Sequence, residues 1–146
     1  MSISMYQAST PVFIRMLTSL SAILDQAQAH TDAKKFDRAN CPGARPVGVD
    51  IPKHPDTETS IAELNARIAT VIDYIKSFKS KQIDATEAKE IVIKLGPKQD
   101  RLLTFTGLSF LQGFAIGNLY FHVTTAYALL RHRGVEAGKT DFPGAP

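Results

Sequence analysis

Apolar residues at Val12, Phe13, Met16, Leu17, Leu20, Ile23, Leu24 and Ala27 return every three or four positions. That is the stripe of an amphipathic helix. It predicts a first helix over residues 6–29. Thr10 followed by Pro11 reads as an N-cap with proline at the first helical position; the other reading starts the helix near Ser4 and absorbs Pro11 in a kink. A second stripe, Ile61, Leu64, Ile68, Val71, Ile72, Ile75 and Phe78, follows Ser60-Ile-Ala-Glu63. In that tetrapeptide the serine and the glutamate can satisfy each other's backbone amides, which marks a helix start. The period then changes. Residues 90–95 and 102–105 alternate apolar with polar around Gly96-Pro97-Lys98-Gln99-Asp100, the pattern of a small β-hairpin.

A third helix is predicted over residues 108–133, with Leu111, Phe114, Ala115, Asn118, Phe121, His122, Thr125, Ala126, Leu129 and Leu130 on one face and Gly134 as its terminator. Gly113 and Gly117 inside it each cost about 1 kcal/mol relative to alanine, so they imply a close helix contact or a local kink. The tail from Val135 onward reads as irregular. Residues 30–58 break the pattern altogether. Pro42, Pro46, Pro52 and Pro55 with Gly43 and Gly48 exclude a helix or a central strand there. A loop this long inside one compact domain calls for an explanation.

The chain has 146 residues, one domain by length and long enough to bury a core without staples. Seventeen Lys and Arg against fourteen Asp and Glu give a net charge of +3. That excess is not gathered into a stripe, which argues against nucleic-acid binding. Cys41 stands alone, so no intrachain disulfide forms. No Lys or Arg precedes Arg15 and no apolar run reaches the roughly 20 residues that cross a bilayer. The expectation is a cytoplasmic protein without a membrane segment.

Candidate chemistry sits on the third helix. Asn118 and His122, one turn apart, can present an amide oxygen and an imidazole to one divalent metal, zinc or nickel. Their alternative role is a hydrogen-bonded polar pair between packed helices. Tyr120, Phe121 and Tyr127 form an aromatic band that, with Thr125, lines a cleft or an interface. Arg131, His132 and Arg133 occupy the last turn, where cations complement the helix dipole or hold an anion. Cys41, flanked by His30 and His54 and near Arg38 and Arg45, is a candidate thiol or an incidental one. No CxxC, HExxH, phosphate-cradling glycine loop or nucleophile elbow occurs.

Residues 4–25 (SMYQASTPVFIRMLTSLSAILD), 63–75 (ELNARIATVIDYI), the hairpin EIVIKL…LTFTG and residues 118–142 (NLYFHVTTAYALLRHRGVEAGKTDF) resemble a bacterial domain-of-unknown-function branch of the DinB/YfiT-like helical bundles. The likeness covers everything except about residues 37–48. It implies a mainly α fold, an up-down-down-up bundle in which three long helices are visible here and a small hairpin precedes the last one. It also implies frequent dimers, and in better-known relatives three histidines holding a divalent metal for thiol-dependent transfer or isomerisation. Two departures matter. The positions of two metal histidines four residues apart are here Asn118 and His122, and the family's second helix is replaced by the Pro/Gly-rich stretch 30–58. The expectation is therefore one domain over residues 1–146, a non-catalytic, self-associating homodimer that binds a partner or a small molecule. Loss of a helix would bare apolar stripes and favour association. The alternative is a metal- and thiol-dependent transferase or isomerase with an incomplete metal site.

Overall fold

The computed structural model describes residues 3–28, 57–95 and 101–143. Helix α1 spans Met5–Gln28. Its start is set by Ser4 and Gln7: the Ser4 Oγ accepts from the Gln7 amide at 3.3 Å, and the Ser4 amide donates to Gln7 Oε1 at 3.1 Å. This reciprocal pair is a capping box, so Thr10 is not the N-cap. It lies buried in the second turn, and Pro11 sits exposed inside the helix. Asp84, far along the chain, adds a second cap by accepting from the Tyr6 amide at 2.8 Å, a carboxylate placed where the helix dipole favours it.

Helix α2 spans Ile61–Lys76 and begins at the predicted box. Glu63 Oε2 accepts from the Thr59 amide at 2.6 Å, the Ser60 amide at 3.1 Å and the Thr59 hydroxyl at 3.1 Å. Those bonds favour its ionised form and hold its pKa below the ordinary carboxylate value, the Thr59 amide contributing most. A depressed folded-state pKa stabilises the native chain above the ordinary value, and the contribution disappears as pH falls through the folded one. Acidification below the usual carboxylate range is thus expected to fray the first turn of α2, read as faster amide exchange at residues 61–64. In Glu63→Gln that acid-induced step should be absent.

A short helix, α3 (Ser80–Ile83), leads to the antiparallel strands β1 (Glu90–Leu95) and β2 (Arg101–Thr106). Ile91 faces Phe105 and Ile93 faces Leu103. These side chains are half-buried on one side of the hairpin, while Val92 and Leu102 point to solvent. The strand-connecting residues 96–100 lie outside the described residues.

The last helical run differs from the single helix expected. It comprises α4 (Gly107–Ser109), a π-helical turn at Phe110–Ala115 and α5 (Ile116–His132). The Ile116 amide donates to the Leu111 carbonyl, five residues back. The reason is one of phase. In an unbroken α-helix Phe110 and Leu119, nine residues apart, would point about 180° apart. The π turn inserts one residue and rotates the leading segment by about 100°. Gly107, Phe110 and Leu111 can then be buried together with Leu119 and Val123. A Cβ on Gly113 or Gly117 would meet nothing within 4 Å, so the expected close helix contact is not present among the described residues.

Two clusters orient the helices. Ile23, Leu24 and Ala27 of α1 meet Leu130 of α5, with Ile61, Leu64 and Ile68 of α2 packed against them. Met16 of α1 meets Leu119 and Val123 of α5. Helices α1 and α5 therefore run parallel and α2 runs antiparallel to α1, the directions that an up-down-down-up bundle assigns to these helices. Asn65 ties α2 to α1, accepting from Ser21 Oγ at 3.0 Å and donating to Asp25 Oδ1 at 2.6 Å. No residue of α2 is fully buried, although its apolar stripe is as long as that of α1.

Gly134 terminates α5 as predicted, at φ +90°. Its amide donates to the Arg131 carbonyl, and the Val135 amide to the Leu130 carbonyl at 3.1 Å, a Schellman motif with its apolar contact between Val135 and Leu130. The tail beyond has no regular element but is well packed: Val135 and Ala137 are buried in the α1–α5 cluster.

Candidate functional site on the last helix

The buried stripe of α5, Leu119, Val123, Ala126 and Leu130, divides its surface into two flanks and an outer face. One flank is covered by the tail. There Tyr127 is half-buried, its ring 5.7 Å from that of Phe142 and its hydroxyl donating to the Ala137 carbonyl at 3.4 Å. Arg131 donates to the same carbonyl. Tyr127 is thereby covered, whereas Tyr120, two turns earlier on the same flank, is exposed; the role of Arg131 is to clamp the tail, while His132 and Arg133 are exposed.

Asn118 and His122 share the other flank, both half-buried. Asn118 Nδ2 donates to the Phe114 carbonyl at 2.7 Å, within its own helical run at the end of the π turn. The ring of His122 lies edge-on to Phe121, centroids 5.3 Å apart. Among the described residues no three His, Cys, Asp or Glu side chains come together to hold a metal ion. A zinc or nickel site needs three or four strong donors, and this flank offers one imidazole and one amide oxygen, the Asn118 Nδ2 being bonded to the backbone. The described residues do not fit the metal. Cys41, His30, His54, Arg38 and Arg45, and nearly all of stretch 30–58, lie outside the described residues.

Exposed apolar side chains are spread around the rest of the helix. At 100° per residue Phe121, 66 % exposed, lies on the outer face, Leu129, 50 % exposed, on the side of Asn118 and His122, and Tyr120, 41 % exposed, on the side of Tyr127. Thr125 lies between Phe121 and Leu129, its hydroxyl turned to the Phe121 carbonyl at 2.7 Å and so withdrawn from solvent chemistry. Residues 109–130 contain no Asp, Glu, Lys or Arg. An exposed helix normally carries its charges outward; this one presents small, aromatic and uncharged groups instead, the chemistry of a surface that meets another protein or an uncharged ligand.

The model of a domain of unknown function, DUF1993, matches residues 5–47 and 41–143. The chain belongs to this family. The two matched segments meet inside the Pro-rich stretch. A solved structure of a DinB family member protein from Shewanella denitrificans is similar to this DUF1993 chain, with 36 % identity and a TM-score of 0.71, over 97 % of this chain and 92 % of that one. No curated protein matches it. The expected DinB-like identity and the mainly helical fold with its small hairpin are thus established. No described helix of this DUF1993 protein is long and apolar enough to cross a membrane.

Two structural features of the site escaped the periodicity reading. Gly107 is one: a Cβ there would lie 2.0 Å from the Thr86 carbonyl oxygen, a closeness set by a segment twenty residues away. Its neighbours did carry a signal, since Thr106 and Ser109 cap the helix start reciprocally at 3.2 Å and 2.9 Å. The tail clamp is the other, foreshadowed by Val135 and Ala137 alternating with Glu136.

Proposed function

We propose that this DUF1993 protein is a non-catalytic, self-associating bundle of the cytoplasm, a homodimer that binds a partner or small molecule, and that the uncharged outer face of α5 is its association surface. The observation that carries this reading is the exposure of Phe121, Leu129 and Tyr120 on a helix without a charged residue over positions 109–130. Exposed apolar side chains such as Phe121 are stabilised by removal from water at about 25 cal/mol per Å². The stripe of α2, no residue of which is fully buried, supports the same reading. The lone Cys41 gives no disulfide framework of the kind that small secreted domains carry.

Phe121→Asp tests the reading. The side chain is mostly exposed, so the folded chain should retain its helical signal and melt within about 0.5 kcal/mol of the parent. A carboxylate on the outer face should nevertheless leave the protein monomeric by light scattering at concentrations where the parent dimerises. Unchanged association in this variant would remove the outer face from the account.

A further inference from the structure

We infer that residues 138–142 form a hatch over a ring-sized apolar slot between α1 and α5, and that the slot takes a small uncharged aromatic molecule in place of the Phe142 ring. This deepens the ligand half of the reading above, on which it rests, and is independent of self-association. The tail has two parts, held in different ways. Val135 and Ala137 are 3 % and 0 % exposed, and the Ala137 carbonyl accepts from both the Tyr127 hydroxyl and Arg131. That end is fixed. Beyond it, Gly138-Lys139-Thr140-Asp141-Phe142 closes on itself. The Gly138 amide donates to Asp141 Oδ2 at 2.6 Å, the Asp141 amide to the Gly138 carbonyl at 3.2 Å and the Phe142 amide to the Lys139 carbonyl at 3.3 Å. Among the described residues, no hydrogen bond from 138–142 reaches a helix.

One side chain therefore holds this turn to the body. The half-buried Phe142 ring packs on the cluster of Met16 from α1 with Leu119 and Val123 from α5, and Phe13, Leu17 and Leu20 pack on the same cluster. It stands at 69° to the Tyr127 ring, centroids 5.7 Å apart. Lifting the turn about the fixed Ala137 breaks no hydrogen bond and uncovers only that ring, so the motion belongs to the low-energy end of local opening. Because the turn keeps its own bonds, it moves as a unit. What the slot accepts follows from its lining. These side chains are apolar, and a charged group among them would lose its hydration without a counter-ion. The Tyr127 ring favours a second aromatic ring at a tilted angle, the arrangement Phe142 already adopts. A free ring competes with Phe142, so its affinity is reduced by the fraction of time the hatch is closed.

Toluene is the probe, titrated into the unmodified chain and followed by NMR. Saturable shifts are expected at the Leu119 and Val123 methyls and at the Phe142 ring, with the signals of residues 139–142 sharpening as the hatch is released. Phe142→Ala removes the competing ring and should bind toluene about tenfold or more tightly. A ring that is only part of the core gives a different pair of results: toluene binds after truncation to alanine and never in the parent. That outcome overturns the hatch. The parent titration decides by itself if Phe142→Ala does not fold. Shifts confined to Phe121 would place the probe on the outer face, overturning the hatch while leaving ligand binding standing. Sedimentation of the same samples reads self-association separately, so the two readings fail independently.

Discussion

Phe110→Ala is expected to lower the unfolding free energy by about 4 kcal/mol, from loss of a buried aromatic side chain and the cavity that remains. Phe110 is 1 % exposed. Its ring lies 5.8 Å from that of Phe105 on β2 and 5.5 Å from that of Phe114 in the π turn, while Phe105 and Phe114 are themselves 5.4 Å apart. The three rings join the hairpin to the helix, and a two-stranded hairpin alone is marginal in water. Loss of the central ring should therefore loosen β1 and β2 as well as α4. Denaturant unfolding of the variant measures the effect, and Phe110→Leu should recover part of it. A loss below about 1 kcal/mol would mean that Phe110 is not the joint.

Gly107→Ala is expected to cost about 3 kcal/mol, the upper part of the range for overpacking a tight site. The added methyl would lie 2.0 Å from the Thr86 carbonyl oxygen and 3.0 Å from its carbon. Both are backbone atoms, which cannot rotate away as a side chain can. The Leu108 amide, which donates to the Glu87 carbonyl at 3.0 Å, would be pushed off with it. Gly117→Ala serves as the control, since the same change there meets open space and should leave the monomer no less stable. Parallel melts of the two variants decide the matter; equal melting temperatures would contradict the described approach of residues 107 and 86.

The regular elements were legible because each depends on local periodicity. The stripes of α1 and α2, the box at Ser60 and Glu63, the alternation of β1 and β2 and the stop at Gly134 all act within a few residues. The misreading of Thr10 arose because Thr-Pro is a strong local start signal, whereas the box formed by Ser4 and Gln7 needs the helix to continue through a proline. The π turn has no composition of its own. Its trace is a phase error: the positions buried before Ala115 and those buried after it fit one helix face only if a residue is inserted between them. The tight approach at Gly107 depends on Thr86, and the covering of Tyr127 on Phe142 and Ala137; such contacts between distant segments are set by tertiary packing. Asn118 and His122 were legible as a pair, but the hydrogen bond from Asn118 to Phe114 was not, because the same side chain at the same spacing serves a ligand set and a helix backbone equally well.

Sedimentation velocity of the unmodified chain across about a hundredfold dilution tests most directly whether the protein self-associates as proposed. The predicted result is a reversible shift from dimer at the concentrated end to compact monomer at the dilute end. A single monomeric boundary throughout would contradict it.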